Sequence, residues 1–420
     1  MVRSRHDEPP IDRQQPPMSY TILAAPAEWI LWDMHSHHNI SYKIIEGLSQ
    51  DYGLNFIAIV NKNRLSKPLR NVEIVQIGLR PSPINRYVLW PIHIYKASMS
   101  VLSERKVDLI ANLRYFAVGG TPDWINLLAF TDVVEKYPFI MGPAEIQHEV
   151  MLEDFLYTYA GVLKSTSILK GMVGYCLQKL LLDRTKLVDE LAYYILGKCD
   201  RLIVGYEKAR DFYSRFVNRR KIEVIPLCID TRAFAWSAPP DNYEILCTGG
   251  GYRRKGVDYL VMAMKEVVEE YPSAKLHITR IGPHTLRLLK LVKDLKLGKN
   301  VIFHRYLPKE ALIGLFRKCR LFCNPSLSEG FAYVNIEAMA LGRPVISTEA
   351  ANSNTIYNGR NGIIVRERDS HELAEAILRL FGDYELTYRM GWNARVYVEK
   401  KHDRRIVLRQ YYELFMKVLS

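Results

Sequence analysis

Glu329 and Glu337 stand eight positions apart in the run SEGFAYVNIEAMALGRPVIST, residues 328–348. From Ala332 to Leu341 the residues are mostly good helix formers. Gly342 suits the position just past a helix end, and Pro344 cannot continue the helix. Pro344 to Thr348 reads as a short apolar strand. Eight residues of continuous helix would hold the two carboxylates about 12 Å apart. That is too far for one shared proton, and it suits hydroxyls at two places along an extended ligand. The helix start between them offers unbonded backbone N–H groups and a positive dipole end, where a phosphate fits. Sugar hydroxyls, phosphates and ribose hydroxyls in that order describe a nucleotide sugar.

A second candidate is TGGGYRRKG, Thr248 to Gly256, where an apolar run gives way to a helical pattern. Glycines let the backbone approach a phosphate, and nearby cations neutralise it. Arg253, Arg254 and Lys255 are consecutive, so they cannot all face one ligand. Taken alone, the segment reads equally well as a glycine turn with solvated basic residues. It is neither a G-x-G-x-x-G fingerprint nor a Walker A loop, which weighs against NAD and ATP.

The run at Glu329 and Glu337 resembles the E-x7-E signature of retaining glycosyltransferases of family 4, which have the two-domain GT-B fold. Two glutamates alone would read as solvated charges beside a core helix; loop, glycine, proline and strand in this order favour the resemblance. It implies that Glu337 holds the ribose hydroxyls, while Glu329 and the backbone of Gly330, Phe331 and Ala332 hold the donor sugar and phosphate. Lys255, just before Gly256, matches the family's diphosphate lysine. The family's arginine place is taken by Gly250, so Arg254 is expected to substitute for it. Gly249 and Gly250 complete the phosphate loop, and Tyr306 follows the strand that ends near the nucleobase. His148 is the best match to a first-domain histidine near the donor sugar, which gives Glu329, Lys255 and His148 as the expected catalytic set. Family members often have glycine where Ala332 stands, and two glycines and a glutamate at the places of Ala351, Asn352 and Thr355. Gly359 and Asn361-Gly362 restore the pattern downstream. The resemblance implies no metal and no cofactor beyond the nucleotide-sugar donor.

The elements that must position these residues follow a regular pattern. EILCTGG, AKLHITRIG, NVIFHRYLP, RLFCNPS, PVIST and GIIVRE alternate with helical patterns, among them GVDYLVMAMKEVVEEY. This predicts a parallel sheet covered by helices, with ligands at the carboxyl ends of its strands. The N-terminal half shows the same habit less regularly, so the expected class is α/β with two Rossmann-like domains facing across a cleft. The expected divisions are a flexible tail (1–17), an acceptor-side domain (18–234), a nucleotide-sugar domain (235–400) and a final helix (401–420) packing back on the first domain. KIEVIPLCIDTRAF resembles the family's hinge, with Cys228 in a place usually held by glycine.

At 420 residues, two domains of about 200 are the natural expectation. The composition, 48% hydrophobic and 25% charged, is that of a globular protein. Six scattered cysteines without a C-x-x-C pair suggest reduced cytosolic thiols. No early apolar stretch reads as a signal peptide and no run of eighteen apolar residues occurs, so a cytoplasmic protein is expected. The net charge of +13 calls for an anionic partner. The apolar, lysine-interrupted segment Leu156–Leu182 reads as a buried helical hairpin, with a peripheral anionic membrane surface as its functional alternative. Asp33, His35, His37 and His38 could ligate a metal, though a polar acceptor-side loop is the simpler reading.

The function expected is transfer of a sugar from a nucleoside diphosphate to a glycan or lipid-linked acceptor. Rivals are a nucleotide-sugar epimerase of the same fold and a noncatalytic nucleic-acid binder. For the latter, no RNP-like aromatic motif, zinc-finger spacing or zipper is present.

Overall fold

The structure, a computed structural model, describes residues 20–31, 40–80, 89–113, 116–117, 136–145, 193–194, 196–282 and 284–420. His148, the cluster from Asp33 to His38, Cys176, the tail 1–17 and the segment Leu156–Leu182 lie outside the described residues.

The second half builds a six-stranded, all-parallel sheet from β9 (Glu244–Thr248), β10 (Lys275–Thr279), β11 (Val301–Phe303), β12 (Leu321–Asn324), β13 (Val345–Thr348) and β14 (Gly362–Val365). Its order is β11-β10-β9-β12-β13-β14. The order therefore reverses between β9 and β12, and the crevice beyond their carboxyl ends is where a ligand of such a sheet belongs. β12 and β13 are buried at every residue, which is why LFCN and VIST read as unbroken rather than alternating runs.

The first half repeats the plan. β1 (Thr21–Leu31), β2 (Asn55–Asn63), β3 (Val72–Gln76), β4 (Leu109–Asn112), β6 (Phe139–Glu145), β7 (Arg201–Val204) and β8 (Ile222–Val224) lie in the order β3-β2-β1-β4-β6-β7-β8. β5 (Phe116–Ala117) pairs with β6. Helix α1 (Ile40–Asp51) enters this domain's core through Ile44, Ile45 and Leu48. Helix α2 (Trp90–Glu104) and the short α3 (Glu207–Tyr213) complete the helices named for this half.

In the second half the helices are α4 (Val257–Glu270), α5 (Thr285–Asp294), α6 (Lys309–Lys318), α7 (Tyr333–Ala340), α8 (Ser370–Gly382), α9 (Tyr384–Lys401) and α10 (Arg404–Leu419). In α4 the buried Leu260, Met264 and Val267 sit at helical spacing against the sheet. Helix α10 leaves the second half and lies on α1. Val407, Leu408, Tyr411 and Phe415 share one core with Ile44 and Leu48. Tyr412 stacks on Tyr52 at 4.5 Å, and Arg404 reaches Glu46 at 3.3 Å. Each such buried side chain is worth roughly 1.5–3 kcal/mol, so α10 is a strap between the halves.

The linker between the sheets is stitched from both sides. Buried Arg395 donates to the carbonyls of Phe234, Ala340 and Thr231, and Arg343 donates to Ser237 and Ala238. Ile229 forms a bridge with Asp403. The non-glycine residues with positive φ are Asn71, Arg280, Lys296, Asn354 and Arg368. Cys228 is not one of them, so its place needs no glycine.

Candidate active site

The glycine loop is shaped by two positions. Gly249, at φ +104°, turns the chain back so that its N–H and that of Gly250 both meet the Thr279 carbonyl. A single 3-10 turn, Arg253–Lys255, follows and ends on Gly256 at φ +62°. A Cβ there would stand 2.1 Å from the Pro325 carbonyl oxygen. Only glycine allows this approach and this backbone. The Leu327 N–H donates to the Arg254 carbonyl at 2.7 Å, which pins the loop after β9 to the loop after β12 at the switch point.

That stitching brings Lys255 and Arg254 onto Glu329, while Arg253 points to solvent. The Glu329 Oε1 accepts from the Lys255 ammonium and from Ser326 Oγ at 3.0 Å, and Oε2 accepts from Arg254 at 3.1 Å. Arg254 also donates to the Ser328 carbonyl at 3.2 Å. Burial alone would raise Glu329, but Lys255 and Arg254 outweigh it and hold the carboxyl at about 2. Burial pulls Lys255 below an ordinary lysine, yet the carboxylate at bonding distance keeps its proton in place. Without a ligand, the Glu329 carboxylate expected at the donor sugar is thus already engaged by three donors. It is the counter-charge that positions two buried cations.

Helix α7 begins just beyond. Its N-cap, Ala332, supplies no side-chain cap, whereas Asp369, Asp383 and Asp403 cap α8, α9 and α10. The Ala332 N–H donates to Ser353 Oγ at 3.2 Å, and Ala332 is buried. Of the three amides expected to face a phosphate, that one is occupied; those of Gly330 and Phe331 have no partner among the described residues. The far end closes as a Schellman motif, with Gly342 donating to Met339 and Arg343 to Ala338. The helix runs one residue shorter at each end than the pattern Ala332–Leu341 suggests.

The loop after β13 supports α7. Asn335, buried in the helix, accepts from Asn324 at 2.9 Å and donates to the Ala351 carbonyl at 3.0 Å. Asn352 accepts the N–H groups of Thr355 and Ile356. Residues standing where the resemblance expects glycines thus form a bracket holding the helix.

Glu337 sits one turn beyond Tyr333, and its setting is the reverse of that of Glu329. Its carboxylate makes no hydrogen bond or ion pair with any described residue. It lines a cavity of about 360 Å³ shared with Lys43, Glu46, Asp230, Lys309 and Arg404. Burial pushes its carboxyl up to about 7, against the pull of Lys43, Arg280 and Lys309. Lys43, on α1 of the first domain, donates to the Tyr333 hydroxyl at 2.7 Å, which donates to the Cys228 carbonyl at 2.6 Å. Arg280 holds a left-handed backbone, φ +59°, just past β10. Tyr306 follows β11 and is 72% exposed. The loops after β9 and β12 thus bring Arg254 and Lys255 onto Glu329, and Glu337 lines the cavity beyond.

Sequence reasoning missed Lys43, Arg280, Lys309 and Tyr333. Arg280 could have been found, because it follows a strand at the carboxyl edge. Lys43 had no signal, since its role arises only when α1 meets α7. Among the described residues one group has metal-ligating chemistry: Glu244, His277 and Cys319, whose donor atoms lie within 4.8 Å of one another. Glu244 opens β9, at the edge of the sheet away from the site, and is ion-paired to Lys318 at 3.0 Å.

Residues 242–383 match the family described as Glycosyl transferases group 1. The second half of the chain carries a group 1 glycosyltransferase domain, and the switch-point loops with both glutamates fall inside it. Among curated relatives, a D-inositol 3-phosphate glycosyltransferase of Nocardia farcinica is 28% identical over 221 residues, covering 48% of this chain and 49% of the relative. A GDP-mannose-dependent monoacylated alpha-(1-6)-phosphatidylinositol monomannoside mannosyltransferase of Corynebacterium glutamicum is 27% identical over 210 residues, covering 45% and 55%. The chain spans about half the length of the curated relatives it matches. Sucrose-phosphate synthase from Thermosynechococcus elongatus, 19% identical, superimposes with a TM-score of 0.70 over 96% of this chain and 99% of that one. The architecture is that of the GT-B glycosyltransferases: two Rossmann-like domains.

Proposed function

We propose that this protein is a retaining glycosyltransferase of family 4, moving a sugar from a nucleoside diphosphate to a glycan or lipid-linked acceptor. The observation that carries the reading is the pairing of opposite settings along α7. Two cations are held at its start, and an unbonded, half-buried carboxylate faces a cavity one turn further on. In this reading the diphosphate lies on the amides of Gly330 and Phe331, within reach of Arg254, Lys255 and Arg280. Glu337 accepts the ribose hydroxyls, and Tyr306 borders the base.

The acceptor oxygen bonds to the anomeric carbon as the bond from that carbon to the phosphate oxygen breaks. The hydroxyl proton passes to the departing diphosphate. Charge grows on that phosphate oxygen, so fixed cations and amides stabilise the transition state more than the ground state. Glu329 sets the position of Lys255 and Arg254, and through them acts on the leaving group. His148, outside the described residues, is proposed to approach the donor sugar from the first domain. The curated mannosyltransferase relative named for a phosphatidylinositol monomannoside supports a lipid-linked acceptor.

The test is turnover with a panel of UDP-, GDP- and ADP-sugars and candidate acceptors, with the product's anomeric configuration read by NMR. One donor giving product of retained configuration is expected. An inverted product, or diphosphate binding unaffected by Lys255→Ala, would overturn the reading.

A further inference from the structure

Helix α5 presents to solvent a face that does not suit an ordinary surface helix. Its buried side is Thr285, Leu288 and Val292. Along one flank of that side Leu286 is 78% exposed and Leu289 46%. Lys290 and Lys293 share that flank and Arg287 lies further round the helix; all three are exposed and form no ion pair with any described residue. Asp294 is the only acid between residues 285 and 306, a stretch that also holds Lys296, Lys299 and Arg305. Single exposed leucines are common; two leucines set among unpaired cations on one face are a recognition surface.

The position of the face adds a second argument. Helix α5 starts just past the carboxyl end of β10, the sheet edge at which Arg280 and the glycine loop stand. Ile281 after β10 and Tyr306 after β11 are exposed at that same edge. The apolar surface therefore lies beside the mouth of the donor site.

We propose that the outer face of α5 docks the second domain onto an anionic lipid bilayer, with Leu286 and Leu289 entering the headgroup boundary and Arg287, Lys290 and Lys293 meeting anionic headgroups. Cations alone would suit nucleic acid as well; the leucines beside Lys290 and Lys293 have no partner on a phosphate backbone and have one in lipid. Docked in this way, the first turn of α5, next to the edge carrying Arg280 and the glycine loop, lies at the membrane surface. The proposal uses none of the residues Leu156–Leu182 and stands whether or not the protein transfers a sugar.

The test is co-sedimentation of the full chain with phosphatidylcholine vesicles, with and without phosphatidylglycerol. The protein is expected to pellet with the anionic vesicles and stay in solution with the neutral ones. Leu286→Glu with Leu289→Glu should lower the partition at least about tenfold at any salt concentration. Lys290→Glu with Lys293→Glu should lower it comparably at low salt, with a difference that shrinks as salt rises. All four positions are exposed and outside the donor site, so circular dichroism and melting temperature should match the parent. Wild-type protein left in the supernatant, or both double variants pelleting like the parent, overturns the proposal. So does an RNA oligomer bound through these lysines with no vesicle binding.

Discussion

Glu329 and Glu337 flank the same short helix, yet the protein treats them in opposite ways. Three donors saturate Glu329, and two of them are cations. Glu337 is half-buried at a cavity wall, with three cations close enough to feel but none close enough to bond. The first carboxylate is structural charge at a functional place, and the second is unspent hydrogen-bonding capacity. The difference shows that a spacing motif names the positions, while the surrounding loops decide which position is free to meet a ligand.

The contrast predicts different outcomes for parallel substitutions. The largest effect should come from Glu329→Ala. It leaves Lys255 and Arg254 desolvated without a counter-charge, a change that costs about 3–5 kcal/mol when a buried pair loses one partner. Urea unfolding measures it, and a loss under about 1 kcal/mol would mean the pair is screened like a surface bridge. Next, Lys255→Ala should lower turnover by about 10²–10³, the scale of removing one fixed donor from a developing anion. A change confined to KM would instead assign Lys255 to uniform binding.

Glu337→Ala should leave unfolding stability unchanged or raised, because it removes a desolvated acid with no partner. Donor affinity should fall by about 1.5–3 kcal/mol if the charged group accepts ribose hydroxyls, as isothermal calorimetry would show. Equal stability losses at the two glutamates would erase the distinction between them.

The pH dependence gives a finer test. The folded protein holds Glu337 protonated up to about 7, above its ordinary 4.5. The stability it contributes is full below about 4.5 and is lost as pH rises through 7. Donor binding runs the other way, since only the carboxylate accepts two hydroxyls, so affinity should rise through the same range. Glu329, held near 2, contributes stability above its ordinary 4.5 and loses it as pH falls toward 2. A break in donor affinity between pH 5 and 9 that Glu337→Gln flattens belongs to Glu337, and none there belongs to Glu329. The smallest expected effect is that of Lys43→Met. It removes one cation facing Glu337 and should move the midpoint of that pH profile upward; a midpoint that stays put would show that Lys43 acts only through Tyr333.

Much of this arrangement was legible in the sequence, for physical reasons. The strands of the second sheet are short, buried runs bounded by turn residues, and their alternation with helices fixes a parallel sheet with its ligand edge. Gly249, Gly256 and Gly342 occupy positive-φ positions that no other residue fills as easily, so the loops around the site were readable. Who bonds to whom was not. Spacing carries no information about Arg254 and Lys255 folding back onto Glu329. Ala332 looked like a free amide because Ser353, twenty-one residues later, gives no local sign of reaching it. Lys43 and Tyr333 are 290 residues apart and meet only through packing of the two halves. Such contacts depend on tertiary closure, to which local pattern is blind.

The most direct test of the account is a thermal-shift titration of nucleoside diphosphate sugars against the parent protein and Glu337→Ala, with Glu337→Gln as the isosteric control. At a hundred times its dissociation constant a true donor should stabilise the parent by about 2.7 kcal/mol, and both variants should lose most of that shift while melting no lower than the parent without ligand. A nucleotide sugar that stabilises the alanine variant as fully as the parent would contradict the assignment of Glu337 as the donor's anchor.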